Sequence, residues 1–134
     1  MSIKLRVSEE ALAALLKEVK LTSFLYRGYE CEIKKTELGY YCGYVTLTPE
    51  DKHYKAPYSN IPIYCHGGIT YSMMSKDGWK IGFDCGHFGD LIPAYSEKGG
   101  VFKDATFCIE ECKSIVDQLV NLGGNENGRK INSL

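Results

Sequence analysis

A chain of 134 residues, 44% hydrophobic and 25% charged, is long enough to bury a core of its own and has the balance of one soluble globular domain. A net charge of −1 excludes the broad basic field by which proteins hold duplex DNA or an anionic membrane surface, and no apolar run approaches the ~20 residues of a membrane span. The first residues carry no apolar leader core, so the expectation is a cytoplasmic protein whose six Cys are thiols or metal ligands rather than disulfides.

In chain order, Ile3, Leu5 and Val7 alternate with Lys4 and Arg6 and read as a short strand. Ser8 then stands as an N-cap, with Glu9 and Glu10 where a helix dipole favours acid, and Ala11, Leu12, Leu15, Leu16 and Val19 share one face of a helix over 9–20. From Phe24 the period changes to two. Tyr29, Cys31 and Ile33 alternate with Glu30, Glu32 and Lys34, and after a turn at 36–39 Tyr41, Gly43, Val45 and Leu47 alternate with Cys42, Tyr44 and Thr46. This is a β-hairpin with one buried face. Cys31 belongs to that face, whereas Cys42 falls on the other with Tyr40 and Tyr44, a face to be covered by another subunit or used for binding.

Residues 48–60 show no period and read as a long exposed loop carrying Lys52, His53, Tyr54, Lys55 and Tyr58. Short strands follow at 61–65 and 69–74, then a turn at Lys76-Asp77-Gly78 and a strand over 79–84. Residues 91–103 are irregular. Asp104 caps a second helix, about 105–121, whose stripe of Ala105, Cys108, Ile109, Cys112, Ile115, Val116 and Leu119 makes the two thiols core residues rather than an i, i+4 ligand pair. Residues 122–134 form a Gly- and Asn-rich tail with the composition of a disordered segment, which leaves 1–121 as a single domain. The fold expected is α+β: an antiparallel sheet of about five strands with two amphipathic helices on one face.

The chemistry concentrates between Cys65 and Asp90. An antiparallel pairing of 69–74 with 79–84 sets Asp84 opposite Ile69, so Asp84-Cys85-Gly86-His87 emerges beside Cys65-His66-Gly67-Gly68 at one sheet edge. The candidate site residues are His66, Gly67, Gly68, Tyr71, Asp84, Cys85, His87, Phe88 and Asp90. Three chemistries fit these residue types. A divalent metal, zinc by ligand type, would use Cys65, His66, Cys85 and His87 with Asp84 or Asp90, although Cys-His and Cys-x-His match no familiar finger spacing and neighbours on a strand point to opposite faces. A Cys85–His87 nucleophile–base pair would need a local bend to meet. Glycine-rich loops that present backbone N–H groups and two imidazoles, with Tyr64, Tyr71, Trp79 and Phe88 as flat surfaces and a cation from 48–60, would hold a nucleotide-like phosphate ligand. The bland alternative is that both His side chains satisfy turn carbonyls and Asp side chains.

Gly28-Tyr29-Glu30-Cys31-Glu32-Ile33, Tyr41-Cys42-Gly43-Tyr44-Val45, His66-Gly67-Gly68-Ile69-Thr70-Tyr71 and Trp79-Lys80-Ile81-Gly82-Phe83-Asp84-Cys85-Gly86-His87 come in an order that resembles a family of small bacteriophage proteins. That family pairs an HGGLTY-like segment with a WxGFDCxH-like segment and ends in an amphipathic helix; the resemblance spans about 28–120. It marks His66, Gly67, Gly68, Asp84, Cys85 and His87, while Cys65 stands where such proteins carry an aliphatic residue. It implies a phage-encoded accessory protein acting in the host bacterial cytoplasm. By class, such a protein is a homo-oligomer that sequesters a small nucleotide signal of host immunity, of the cyclic nucleotide or cyclic ADP-ribose type, without enzymatic turnover or a resident cofactor. A metal- or thiol-dependent hydrolase built on His66, Asp84, Cys85 and His87, and a protein-binding inhibitor of a host defence enzyme, are the alternatives.

Overall fold

The computed structural model describes residues 21–123; the strand expected at 3–7, the helix expected over 9–20 and most of the tail lie outside the described residues. Strands β1 (Leu21–Tyr26), β2 (Tyr29–Lys35), β3 (Tyr41–Leu47), β4 (Tyr71–Ser75) and β5 (Gly78–Asp84) form one five-stranded sheet in the order β1-β2-β3-β5-β4. Every pairing is antiparallel. A single α-helix among the described residues, α1 (Ala105–Asn121), packs across β2 and β3. The architecture is α+β, and of the two helices expected on the covered face the one over 9–20 falls outside the described residues.

Alternation along β2 buries Tyr29, Cys31 and Ile33 and turns Glu30 to solvent. In α1 the Asp104 carboxylate accepts the Phe107 N–H at 2.9 Å, which satisfies one of the orphan donors of the first turn. The buried stripe is Ala105, Cys108, Cys112, Ile115, Val116 and Leu119, so both thiols are core. Cys112 sits against Gly43 of β3, whose missing side chain lets the Phe83 ring and the helix close on the sheet. Hydrogen bonding within the thiol pairs and burial push both the Cys108 and Cys112 thiols far up, so neither is a thiolate at neutral pH.

Two expectations change. Cys42 does lie opposite the Tyr41–Val45 face, but the chain covers it by itself: the thiol is buried and pushed up to about 11, mainly by that burial. Tyr44 closes over Gly82 and packs edge-on against Tyr71 at 5.3 Å, and Tyr40 closes over Gly86. The tyrosine excess therefore serves in part as a lid over glycine positions of the chain's own sheet. The segment 61–65 is extended but joins no sheet. Ile61 and Ile63 point into the core, and side chains of the helix capture its backbone instead: Tyr64 N–H donates to Gln118 Oε1 at 2.8 Å, and Gln118 Nε2 donates to the Tyr64 carbonyl at 2.7 Å. A strand-like alternation whose backbone bonds go to a helix side chain and to local turns looks, in sequence, identical to a paired strand.

Candidate functional site

The β4–β5 hairpin positions the site. Its register sets Tyr71 opposite Gly82, and the Thr70 N–H donates to the Gly82 carbonyl at 2.9 Å, which continues the ladder past the end of β4. Asp84 thus reaches Thr70, whose hydroxyl approaches Asp84 Oδ2 at 3.4 Å. On one side the chain turns through Gly67 and Gly68, with φ of +72° and +81°, closed by Gly68 N–H to the Cys65 carbonyl at 2.9 Å. On the other, Asp84 Oδ1 accepts the Gly86 N–H at 2.9 Å, and the Asp90 N–H reaches the His87 carbonyl at 2.9 Å. The two turns bring the His66 and His87 rings to 6.2 Å between centroids, edge to face.

Asp90 is the centre of the cluster. Its side chain is 1% exposed, and it accepts from three donors. His66 Nε2 lies 2.9 Å from both carboxylate oxygens, the His87 backbone N–H donates to Oδ2 at 2.9 Å, and Lys103 Nζ donates to Oδ1 at 3.1 Å. Burial by itself would raise the Asp90 pKa; the bonds from His66, His87 and Lys103 together outweigh it and hold the carboxyl below its ordinary value of 3.8. Lys103 is delivered by a short parallel bridge between Asp90 and Val101, with Leu91 N–H to the Val101 carbonyl at 2.9 Å and Val101 N–H to the Gly89 carbonyl at 3.0 Å. The helix contributes as well: Glu111 Oε1 accepts the His66 N–H at 3.0 Å, and Phe107 packs edge-on to the His66 ring at 5.4 Å. His87 is oriented separately, its Nδ1 lying 3.1 Å from the Asp84 carbonyl and 3.2 Å from Asp84 Oδ1.

The candidate residues divide. His66, His87 and Asp90 meet, with Asp84 behind His87 and Gly67 beneath it. Tyr71 stays on the sheet against Tyr44. Cys85 alternates inward: it is 1% exposed, and its Sγ lies 3.5 Å from Cys108 Sγ in the core. A thiol so placed has no path to a substrate at the histidines, and the Cys85–His87 nucleophile pair is thereby corrected. Cys65 is half-buried, its thiol pushed up to about 12 by burial and then by Glu111. The ammonium that meets this cluster is Lys103, on Asp90, whereas the 48–60 loop lies toward the far end of the sheet, where the Ala56 carbonyl accepts Trp79 Nε1–H at 2.9 Å. Lys103 and Glu111 lie outside any local pattern around the histidines: Lys103 ends a stretch that reads as irregular, and Glu111 belongs to a helix far along the chain.

Beside this cluster lies a cavity of about 470 Å³, walled by 86–90, Ile92, Tyr95 and the Gly99-Gly100 turn. His87 and Asp90 form its inner wall, and Phe88, fully exposed, and Tyr95 offer aromatic faces at its rim. His66, His87 and Asp90 each bring one donor atom within 4.8 Å of the others, an arrangement that could hold a metal ion. A Cβ on Gly67 would stand 2.5 Å from His87 Cε1 at a φ of +72°, whereas one on Gly68 would meet nothing. Gly67→Ala is therefore expected to cost about 2–4 kcal/mol, combining backbone strain with displacement of His87, and Gly68→Ala about 1 kcal/mol for strain alone. Urea denaturation of the two variants side by side checks the difference.

No helix among the described residues is long and apolar enough to cross a membrane. Comparison with protein-family models, with curated proteins and with solved structures returned no match.

Proposed function

We propose that the protein binds a small nucleotide-type ligand in the cavity beside His87 and Asp90 and holds it without turning it over. The observation that carries this is the cavity itself, about 470 Å³ between two glycine-rich segments, with a fully exposed Phe88 at its mouth. That volume falls in the range of about 300–1,000 Å³ usual for small-molecule sites. An isolated phenylalanine held wholly in water gains nothing by folding, whereas a base stacked on such a ring gains about 1–3 kcal/mol. Gly89 and Gly99, with nothing within 4 Å of where a Cβ would stand, leave the backbone open to close approach. Retention rather than catalysis is favoured by the inward position of Cys85. The resemblance carried by 66–71 and 79–87 supplies the biological setting of the proposal: a phage-encoded protein that sequesters a cyclic nucleotide or cyclic ADP-ribose-type signal of host immunity.

The test is incubation with cyclic dinucleotides and cyclic ADP-ribose isomers, removal of free ligand, and heating of the protein. Recovery of about one intact nucleotide per chain supports sequestration. Recovery of an altered nucleotide replaces it with hydrolysis, and retention of none overturns the binding reading. Phe88→Ala is expected to weaken binding by about 5- to 150-fold, the equivalent of ~1–3 kcal/mol of stacking, while leaving the melting temperature unchanged. Calorimetric titration beside a thermal melt reads both.

A further inference from the structure

A phosphate in this cavity needs a net positive charge beside it, and the side-chain cluster behind His87 and Asp90 does not supply one. Among the described residues, three carboxylates touch the histidine pair or each other's partners: Asp90 on His66, Asp84 on His87 Nδ1 and Glu111 on the His66 N–H. Against them stands one ammonium, Lys103. With neutral imidazoles the cluster carries a net of two negative charges, which repel an anion and match a divalent cation.

We propose that His66, His87 and Asp90 form a three-ligand site for a divalent first-row metal ion of the zinc class, and that this ion receives the phosphate of the cavity's ligand. The second half rests on the nucleotide reading above; the first does not.

Three features of the geometry support it. The donor atoms lie within 4.8 Å of one another, and His66 Nε2 is already 2.9 Å from the Asp90 oxygens. Ligands at ~2.1 Å around a tetrahedral ion stand about 3.4 Å apart, so His66 and Asp90 part by about 0.5 Å and the widest pair closes by up to about 1.4 Å. His87 also carries the outer partner of a metal-bound histidine. Its Nδ1–H faces the Asp84 carbonyl at 3.1 Å and the Asp84 carboxylate at 3.2 Å, which fixes the tautomer and leaves the lone pair on Nε2. Finally, three protein ligands leave a coordination position open, and two of the three, His87 and Asp90, line the cavity. Lys103 takes one lone pair of Asp90 Oδ1 and the His87 N–H one of Oδ2; the ion takes the place of the proton between His66 Nε2 and the carboxylate, and the neutral imidazole then carries its proton on Nδ1.

The test uses the full chain, stripped with a chelator and free of nucleotide. After equilibration with Zn²⁺ and removal of excess, elemental analysis should find about one zinc per chain. Cobalt in its place should give the intense visible bands of a four-coordinate N/O site. His87→Gln should weaken zinc binding by at least 100-fold and Asp84→Asn by about 10- to 100-fold, in the range of outer-partner losses. Substoichiometric zinc in the wild type, or His87→Gln binding zinc as the wild type does, would overturn the site. The wild-type stoichiometry and the cobalt spectrum stand whether or not a variant folds. Nucleotide affinity should rise at least 10-fold on going from chelator to zinc, and equal affinity in both overturns the bridging role. Zinc bound at one per chain with no nucleotide under either condition keeps the metal site and fails the nucleotide reading.

Discussion

Asp90→Asn is expected to lower stability by about 3–5 kcal/mol at neutral pH, the loss typical of removing one member of a buried, hydrogen-bonded charge cluster. The reason lies in what the carboxylate holds. It ties the His66 turn, the His87 backbone and Lys103 together, and through Lys103 it ties residues 101–103 to the strand end. An amide has only one acceptor oxygen, so at least one of these donors would be left buried and unpaired beside an uncompensated ammonium. The pH dependence follows with a definite sign. Because the folded Asp90 pKa lies below its ordinary 3.8, the carboxylate's contribution is fully present above pH 3.8 and is lost as pH falls through the lower folded value. The wild type should therefore lose stability steeply below about pH 4, and the difference between wild type and Asp90→Asn should shrink there. Urea denaturation at pH 7 and at pH 3 measures both. A variant as stable as the wild type at pH 7 would mean that the cluster does not hold the two loops.

Phe83→Ala is expected to cost about 3–5 kcal/mol, the range for deleting a buried aromatic ring. Phe83 is 1% exposed, and its partner across the β3–β5 ladder is Gly43. The ring lies over that glycine and meets the helix near Cys112, so it fills the space that the missing side chain creates. Removing it opens a void between sheet and helix that no neighbouring branch can fill, and the cost rises with the volume that fails to collapse. Since Asp84, the last residue of β5, follows directly on Phe83 and holds His87 Nδ1, looser packing here should also blur the orientation of His87. Chemical denaturation gives the first effect; broadened histidine ring signals in an NMR spectrum give the second. A loss below ~1 kcal/mol would place Phe83 at the margin of the core.

What was legible in the sequence had a period or a register behind it. The cap at Asp104 and the stripe from Ala105 to Leu119 define α1, and a two-residue turn between Ser75 and Gly78 carries the pairing through to Asp84. From that register the meeting of His66 and His87 followed as geometry. What was not legible was made by single long-range contacts. Gln118, on both backbone groups of Tyr64, and Glu111, on the His66 N–H, hold 61–66 beside the helix and not in the sheet. Lys103 reaches Asp90 through a bridge that pairs residues from opposite sides of an irregular loop, and no periodicity announces it. Cys85 was grouped with its sequence neighbours Asp84 and His87, yet strand alternation turns it inward onto Cys108. Tyr44 and Tyr71 proved to cover their own sheet, so an excess of tyrosine marked folding as much as recognition.

Whether a nucleotide occupies the cavity beside Asp90 is decided most directly by NMR mapping, which suits a chain of 15.0 kDa. Amide shifts of ¹⁵N-labelled protein are followed during titration with a retained nucleotide. Perturbation centred on Gly86 to Asp90 and on Gly99-Gly100, with the Phe88 ring shifted by stacking, is the predicted result. Perturbation centred on β4 and the 48–60 loop, or none at all with saturating nucleotide, would contradict it.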